Sequence, residues 1–439
     1  MNRMMKAIAI VLIAMFCYSN PLQAWNDHTL ISYAALKNDD RYSEIVITEP
    51  IERFLTVEKT GIADVLDETE RWARSHLEYY PPVPESLRFA SSTEPDILKR
   101  FVKALRVNPD MRFPLYLHPA PGTNMQGRAV MPWANVSILK ADYIGVPLFV
   151  SMPGEGVQAR DVIAVGCDEP DYGYDMFLWE DNGTPAGREY QWGKQSFGNP
   201  AIEYATQAPF HMGFFHESRL IFIFAPALKR TYPEFRIHQY TTLSRLAFKT
   251  GHRYWGYRFA GMALHYIQDL TNPYHATIVP GASTIKLLFV SVLDAVGIHG
   301  PREKLLKEIS DCHIFIEKYQ NEKMLRLLTA RDTTDPIIKA MADNSADRGY
   351  SPFIESQVRT LISAESRERA DRLRDIIFNA ISDRAMFDRI QKLDAGGPYD
   401  INPMISGSGK KSLDSLDSIL ADMMRSAGIY TRLYLRSLQ

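Results

Sequence analysis

Three residues with metal-binding side chains lie close together in the segment 264–276, LHYIQDLTNPYHA. His265 and Asp269 are four residues apart, so on a helix their side chains lie on one face and can bind the same ion. Pro273 is expected to end that helix, because the residue before a proline is disfavoured in the α region. His275 then lies just past the helix end, free to turn back toward the pair. Two imidazoles and a carboxylate are ligands suited to zinc.

A second pair of the same design follows at His313 and Glu317, in the helical segment CHIFIEKYQNE. A single pair at this spacing is expected by chance in a chain with eleven histidines. Two pairs, one of them with a trailing histidine, favour a shared metal cluster.

These residues resemble a known family, the zinc-dependent phospholipases C, which share their fold with the S1/P1 nucleases. That family carries the pattern H-Y-x-x-D-x-x-x-P-x-H-A followed by H-x-x-x-E, in a mature chain that begins with Trp. The resemblance is close over residues 252–277, shorter at Asp171 and His313, and absent over much of the first half. It implies a mainly α, multi-helical phospholipase C/P1 nuclease-like bundle, here with an enlarged, loop-rich N-terminal half.

The resemblance also implies ligands outside the two pairs. The segment 166–171, GCDEPD, is similar to the family's G-S-x-x-P-D turn, in which the Asp binds zinc and acts as a general base. Asp171 rather than Asp168 matches that position, although Cys167 stands where Ser is common. An acidic turn containing proline is usually only a turn, so this prediction depends on its companions.

In the family a histidine follows this Asp by a dozen or so residues. Here the first histidine downstream is His211, forty positions after Asp171, so an insertion, such as residues 181–199, must separate the two. His211 is preferred to His216 because the apolar residue after it resembles the family's His-Phe or His-Met context.

Residues 1–24 are typical of a secretory signal peptide, which predicts an exported protein, periplasmic or secreted. Arg3 and Lys6 are its positive region, residues 7–16 its apolar region, and Leu22-Gln23-Ala24 a cleavage site. An uncleaved anchor is disfavoured because the apolar run is shorter than the about 20 residues a spanning helix needs.

Cleavage after Ala24 would expose the α-amino group of Trp25, whose unperturbed pKa of about 8 allows it to deprotonate onto a metal. The family resemblance implies that Trp25 binds zinc through its own backbone, together with His28. The alternative is that neither residue binds a metal: Trp25 is then a terminal aromatic residue and His28 a solvent-facing histidine.

The full set implied by the resemblance is large enough for three zinc ions with open positions for water. Asp269 would bridge two ions, with Asp171, His211 and His265 completing one site and Trp25 and His28 the other. His275, His313 and Glu317 would hold the third ion.

Clustered zinc ions would neutralise a phosphodiester and lower the pKa of bound water from 15.7 to about 7, so that a metal hydroxide is the nucleophile and Asp171 its positioning or general base. Phospholipase C activity, releasing diacylglycerol and a phosphorylated head group, is favoured because the related nucleases tend to place Asp where Glu317 stands. The alternatives are an S1/P1-like single-strand nuclease and a non-catalytic exported domain with closed, structural zinc sites. The formal net charge of −2 argues against a stable nucleic-acid partner.

An apolar run between His275 and His313, residues 285–298, is too short to span a bilayer. A buried helix is the favoured interpretation, and a membrane-interacting loop beside the site is the alternative.

The remaining pattern predicts helices over residues 62–77, 96–107, 240–249 and 252–270. Residues 25–395 are interpreted as one α-helical phospholipase C-like domain, with an elaboration over about 39–160, and residues 396–439 as a linker and a last helix. Cys167 lies four residues before Asp171 and Cys312 immediately before His313. If both segments line one metal pocket, a disulfide in an oxidising compartment is expected.

Overall fold

The structure is a computed structural model that describes residues 27–139, 148–381, 405 and 407–438. These residues form 17 α-helices and four strands of two or three residues each, with no closed sheet among them. The predicted mainly α fold class is therefore confirmed.

The first part of the chain mixes helices with all four strands. In chain order its elements are α1 (His28–Ala35), β1 (Ile45–Ile47), α2 (Ile51–Val57), α3 (Lys59–His76), α4 (Ile97–Leu105), β2 (Tyr116–Leu117), α5 (Trp133–Val136), β3 (Val150–Ser151), β4 (Gly156–Gln158) and α6 (Ala159–Asp168). β1 pairs with β4 and β2 with β3, both antiparallel. The predicted helices 62–77 and 96–107 correspond to α3 and α4.

The rest of the described chain is helical. Its α-helices are α7 (Pro185–Tyr190), α8 (Ala208–His211), α9 (Arg219–Phe224), α10 (Pro233–Lys249), α11 (Arg253–Asp269), α12 (Pro273–Ala276), α13 (Thr284–Ala295), α14 (Gly300–Thr329), α15 (Pro336–Ala342), α16 (Ser363–Ala380) and α17 (Lys410–Arg436). The helices predicted over 240–249 and 252–270 are α10 and α11. The predicted domain boundary at residues 395 and 396 lies outside the described residues.

α11 is the central helix, buried from Tyr254 to Asp269 and packed against α6 and α10. It approaches α6 closely because glycines face each other: a Cβ on Gly261 would lie 2.4 Å from the carbonyl oxygen of Ile163 and 2.8 Å from Cα of Gly166. Such a contact leaves no room for any side chain. The crossing sets the end of α6 beside the C-terminal half of α11.

The C-terminal helix α17 holds α1 in place through Arg432. The buried guanidinium of Arg432 donates to the carbonyl oxygens of Ala35 at 3.2 Å and Met341 at 2.6 Å, and pairs with Asp347 at 2.7 Å. A buried cation requires such a complete set of acceptors. These contacts join the C-terminal helix to α1, whose first residue is His28.

Two predictions are wrong in the described residues. Cys167 and Cys312 are buried free thiols in separate hydrophobic clusters, so the suggested disulfide is not formed. The apolar run 285–298 is helical over α13, but only one side of that helix is buried, with Leu287 and Val290 inside and Ile285 and Phe289 exposed. The described helices include none whose length and hydropathy would let it traverse a bilayer.

Candidate metal centre

The C-terminal end of α11 carries His265 and Asp269, both with no exposed surface. The helix ends at Asp269, four residues before Pro273. The residue before the proline, Asn272, is extended as predicted, but His275 lies in a further short helix and not in a turn. Pro273 instead begins α12, because proline fits the first turn of a helix, and the Asn272 side chain caps it by accepting from the Tyr274 backbone N–H at 3.1 Å. α12 carries His275 back toward α11.

Asp269 lies among four imidazoles. Its Oδ2 is 2.9 Å from Nδ1 of His211 and 3.3 Å from Nε2 of His265, and its Oδ1 is 3.3 Å from Nε2 of His28 and 3.7 Å from Nδ1 of His275. The two oxygens of one carboxylate thus face two different groups of nitrogens. This is the arrangement a bridging ligand requires.

Asp171 faces the same imidazoles from the turn after α6. Its Oδ1 is 3.8 Å from Nε2 of His265 and 3.9 Å from Nδ1 of His211, and its Oδ2 is 4.0 Å from Nε2 of His28. Its side chain is 18% exposed, whereas the side chains of the three histidines are at most 2% exposed. Asp171 therefore marks the side of the cluster that solvent can reach.

His275, His313 and Glu317 form a third group between α12 and α14. Oε1 of Glu317 is 2.7 Å from Nε2 of His313 and 3.5 Å from Nε2 of His275. The Asn272 side chain donates to the same oxygen at 3.3 Å. The helical spacing of His313 and Glu317 brings both onto one face of α14, as their sequence positions predict.

The predicted ligand atoms that the structure describes fall into three groups, within each of which all lie within 4.8 Å of one another. The groups are His28, His265 and Asp269; Asp171, His211 and His265; and His275, His313 and Glu317. This division follows the three predicted sites, except that His265 lies in two groups and Asp269 in one, although Oδ2 of Asp269 also faces His211. Trp25 lies outside the described residues.

In three of the histidines Nδ1 is held by an acceptor, although Nδ1 of His275 also lies 3.7 Å from Oδ1 of Asp269. Nδ1 of His265 donates to the carbonyl oxygen of Cys167 at 2.7 Å, and Nδ1 of His275 to that of His211 at 3.0 Å. Nδ1 of His28 donates to Oε1 of Gln268 at 2.9 Å. Because each Nδ1 carries the proton, each Nε2 presents its lone pair to the cluster.

In His211 the positions of the two ring nitrogens are reversed. Its Nδ1 faces Asp269, while its Nε2 lies 3.3 Å from Oδ2 of Asp175. Asp175 also accepts from the guanidinium of Arg236 at 2.6 Å and from the hydroxyl of Tyr266 at 2.6 Å. Asp175 was not predicted from the sequence. The available signal was its position four residues after Asp171, but nothing in that spacing links it to His211.

The pKa shifts show how the cluster balances charge without a metal. Burial lowers the pKa of His211, but hydrogen bonds to Asp175 and Asp269 outweigh it and raise the pKa to about 10. The cluster thus keeps a positive charge between two carboxylates, where a metal cation would be favoured. Burial lowers the pKa of His275 to about 4 and that of His313 well below its usual value, so both rings stay neutral. Burial raises the pKa of Asp171 to about 7.

Several buried atoms of the cluster lack a hydrogen-bond partner among the described residues. They are Nε2 of His28, Nε2 of His275, Nε2 of His313 and Oδ1 of Asp269, and also Nε2 of His211, which is turned toward Asp175. Leaving a buried polar atom unsatisfied costs about 1–3 kcal/mol, so the first four atoms, all within the three groups, indicate a missing partner. Neutral imidazole nitrogens with carboxylate oxygens form a donor set that fits zinc.

Two residues that the sequence offered as alternative ligands, His216 and Asp168, lie outside these three groups. His216 is exposed, and its Nε2 donates to the carbonyl oxygen of Arg359 at 2.8 Å. Asp168 accepts from the backbone N–H of His28 at 2.8 Å and from the hydroxyl of Tyr172. Asp168 also lies in a fourth group of possible ligands with Asp27 and His118, but its oxygens are used in fixing the start of α1.

No protein family, characterised protein or solved structure matches this chain. The resemblance to the zinc-dependent phospholipases C therefore depends on the motif residues and their arrangement.

Proposed function

We propose that this protein is a zinc-dependent phosphodiester hydrolase that acts as a phospholipase C. The observation that carries the proposal is the position of Asp269, whose two oxygens face separate groups of imidazoles next to a third His-His-Glu group. Three adjacent cation sites concentrate positive charge at one place, which suits an anionic phosphodiester.

Zinc bound by the three groups would neutralise phosphodiester oxygens and make water nucleophilic near neutral pH. Asp171 is the residue we assign to orient that water and to take its proton. It is the most exposed carboxylate of the cluster, and the Gln207 side chain fixes its orientation by donating to Oδ1 at 3.1 Å.

Phosphatidyl substrates are favoured over nucleic acid by two features. Glu317 supplies the carboxylate of the third group, where the related nucleases tend to have Asp, and the exposed apolar side of α13 follows His275 along the chain. The products would be diacylglycerol and a phosphorylated head group. Export to the periplasm or the medium is part of the same proposal, supported by the sequence of residues 1–24.

The test is release of diacylglycerol from phosphatidylcholine vesicles by the exported protein with zinc present. His265→Ala should abolish release, because His265 reaches two groups of ligands. His216→Ala is the matched control and should retain it. A zinc-loaded protein that releases no diacylglycerol but cleaves single-stranded DNA would overturn the phospholipase assignment in favour of a nuclease, and one that cleaves neither would indicate structural zinc.

A further inference from the structure

α13 exposes a continuous apolar stripe. Ile285 is 79% exposed, Phe289 62%, Val292 39% and Val296, just past the helix end, 69%. Their spacing of four, three and four residues places them on one side of the helix. We call these four residues the apolar face of α13. A surface helix normally turns polar residues outward, so this face is the reverse of the ordinary pattern.

The opposite side of α13 is anchored in the protein. Leu287 and Val290 are buried in a hydrophobic cluster that also contains Met212 and Ile278. Met212 directly follows His211, and Ile278 comes three residues after His275. The helix is therefore packed onto the segments that carry two of the candidate metal ligands.

A second apolar surface begins beside the start of α13. The hydroxyl of Thr284 donates to that of Ser218, the residue that caps α9, at 3.2 Å. On α9, Leu220 is 50% and Ile223 57% exposed. Exposed apolar residues grouped on adjacent elements indicate an interaction surface.

The exposed charge on α13 is positive. Lys286 is its exposed charge, and its acidic residue, Asp294, is buried against the imidazole of His299 at 2.6 Å and the guanidinium of Arg302 at 3.1 Å. Arg219, at the start of α9, is also exposed. An apolar face with cations at its edge matches the surface of an anionic bilayer, in which acyl chains accept the apolar side chains and head groups attract the cations.

We infer that the apolar face of α13 docks this protein onto the surface of anionic lipid bilayers. This inference rests on the proposed function. It adds that the substrate is taken from a bilayer and not from dispersed molecules. With 12 residues, α13 lies along the interface and does not cross it.

The binding test uses flotation with vesicles of phosphatidylcholine, alone or mixed with phosphatidylglycerol, in a His265→Ala background so that the lipid is not consumed. The protein should float with the mixed vesicles more than with phosphatidylcholine alone. Phe289→Asp should lower the bound fraction at least about tenfold, since it replaces an inserted ring by a charge. Val57→Asp, at a helical position with the same 62% exposure, is the matched control and should float like the parent.

The activity test separates this inference from the proposed function. In the otherwise unaltered protein, Phe289→Asp should reduce hydrolysis of vesicle lipid and leave hydrolysis of water-soluble p-nitrophenylphosphorylcholine unchanged. Equal flotation of the Phe289→Asp and Val57→Asp proteins would overturn the inference, as would a dimer that Phe289→Asp dissociates, because the face would then join two copies. A protein without substitutions that floats with the mixed vesicles but hydrolyses neither substrate when loaded with zinc would overturn the proposed function alone.

Discussion

Nε2 of His211 lies 3.3 Å from Oδ2 of Asp175, on the side of the ring opposite Asp269. Asp175 is fixed by the buried guanidinium of Arg236, which also donates to the carbonyl oxygens of Leu105 at 2.7 Å and Arg106 at 2.9 Å. A carboxylate held behind a ligating histidine sets the ring orientation and raises the basicity of the nitrogen that faces the metal.

Asp175→Asn is expected to weaken zinc binding by about 10–100-fold, the usual effect of removing such a carboxylate. The measurement is the zinc dissociation constant from competition with a chromophoric chelator. Asp347→Asn is the matched control, because it also leaves a buried arginine, Arg432, without its carboxylate but lies in another part of the fold. Both variants should lose stability. Equal zinc affinity in the two would show that Asp175 has only a structural role.

Zinc content should report the bridging position of Asp269. His313→Ala removes a ligand from the third group alone and should lower bound zinc by about one ion, whereas Asp269→Ala removes two oxygens that face different imidazoles and should lower it by about two. Metal analysis of the purified variants checks this. A loss of the same size in both would contradict a bridging Asp269.

The contact of Gly261 with Gly166 predicts intolerance of even one methyl group. Gly261→Ala places a Cβ 2.4 Å from the carbonyl oxygen of Ile163, so α6 and α11 must move apart, at a cost of about 1–3 kcal/mol in the free energy of unfolding. Urea unfolding measures that cost. Gly300→Ala, at the start of α14 with open space around it, is the control and should be neutral or stabilising. A stable Gly261→Ala protein would contradict the close crossing.

Asp161 is expected to make stability fall as pH rises. Burial raises its pKa to about 6, from a value of 3.8 in the unfolded chain, with partial compensation by Arg160. Between these pH values the folded state binds more protons than the unfolded state, so the free energy of unfolding decreases from pH 4 to pH 6.

Asp161→Asn removes this penalty while keeping the size and shape of the side chain. At 1.36 kcal/mol per pKa unit, the variant should be more stable at pH 7 by up to about 3 kcal/mol and indistinguishable from the parent at pH 4. Thermal midpoints at the two pH values provide the measurement. A gain of equal size at both would point to packing and not to ionisation.

The helical pairs of the candidate metal centre were predictable because their geometry is local. His265 with Asp269, and His313 with Glu317, are brought together by the rise and turn of a single helix, whatever surrounds it. The helices themselves were predictable for the same reason, since the spacing of apolar residues in α3, α4, α10 and α11 already gives their period.

Relationships between distant segments were not predictable in that way. Asp175 and His211 are 36 positions apart and meet only because α8 packs beside α11, and the break at Asp269 depends on Asn272 capping a new helix. That one side of α13 stays exposed was not predicted, since an apolar run has the same pattern whether neighbours cover one face or both.

The sequence by itself determined the helical class, the two ligand pairs and the residue types of the candidate centre, because these follow from local geometry and side-chain chemistry. Only the tertiary structure decided that Asp269 faces four imidazoles, that Asp175 supports His211 and that α13 presents an apolar face. Those facts depend on how buried surfaces of separate helices fit together, and packing is a property of the whole chain.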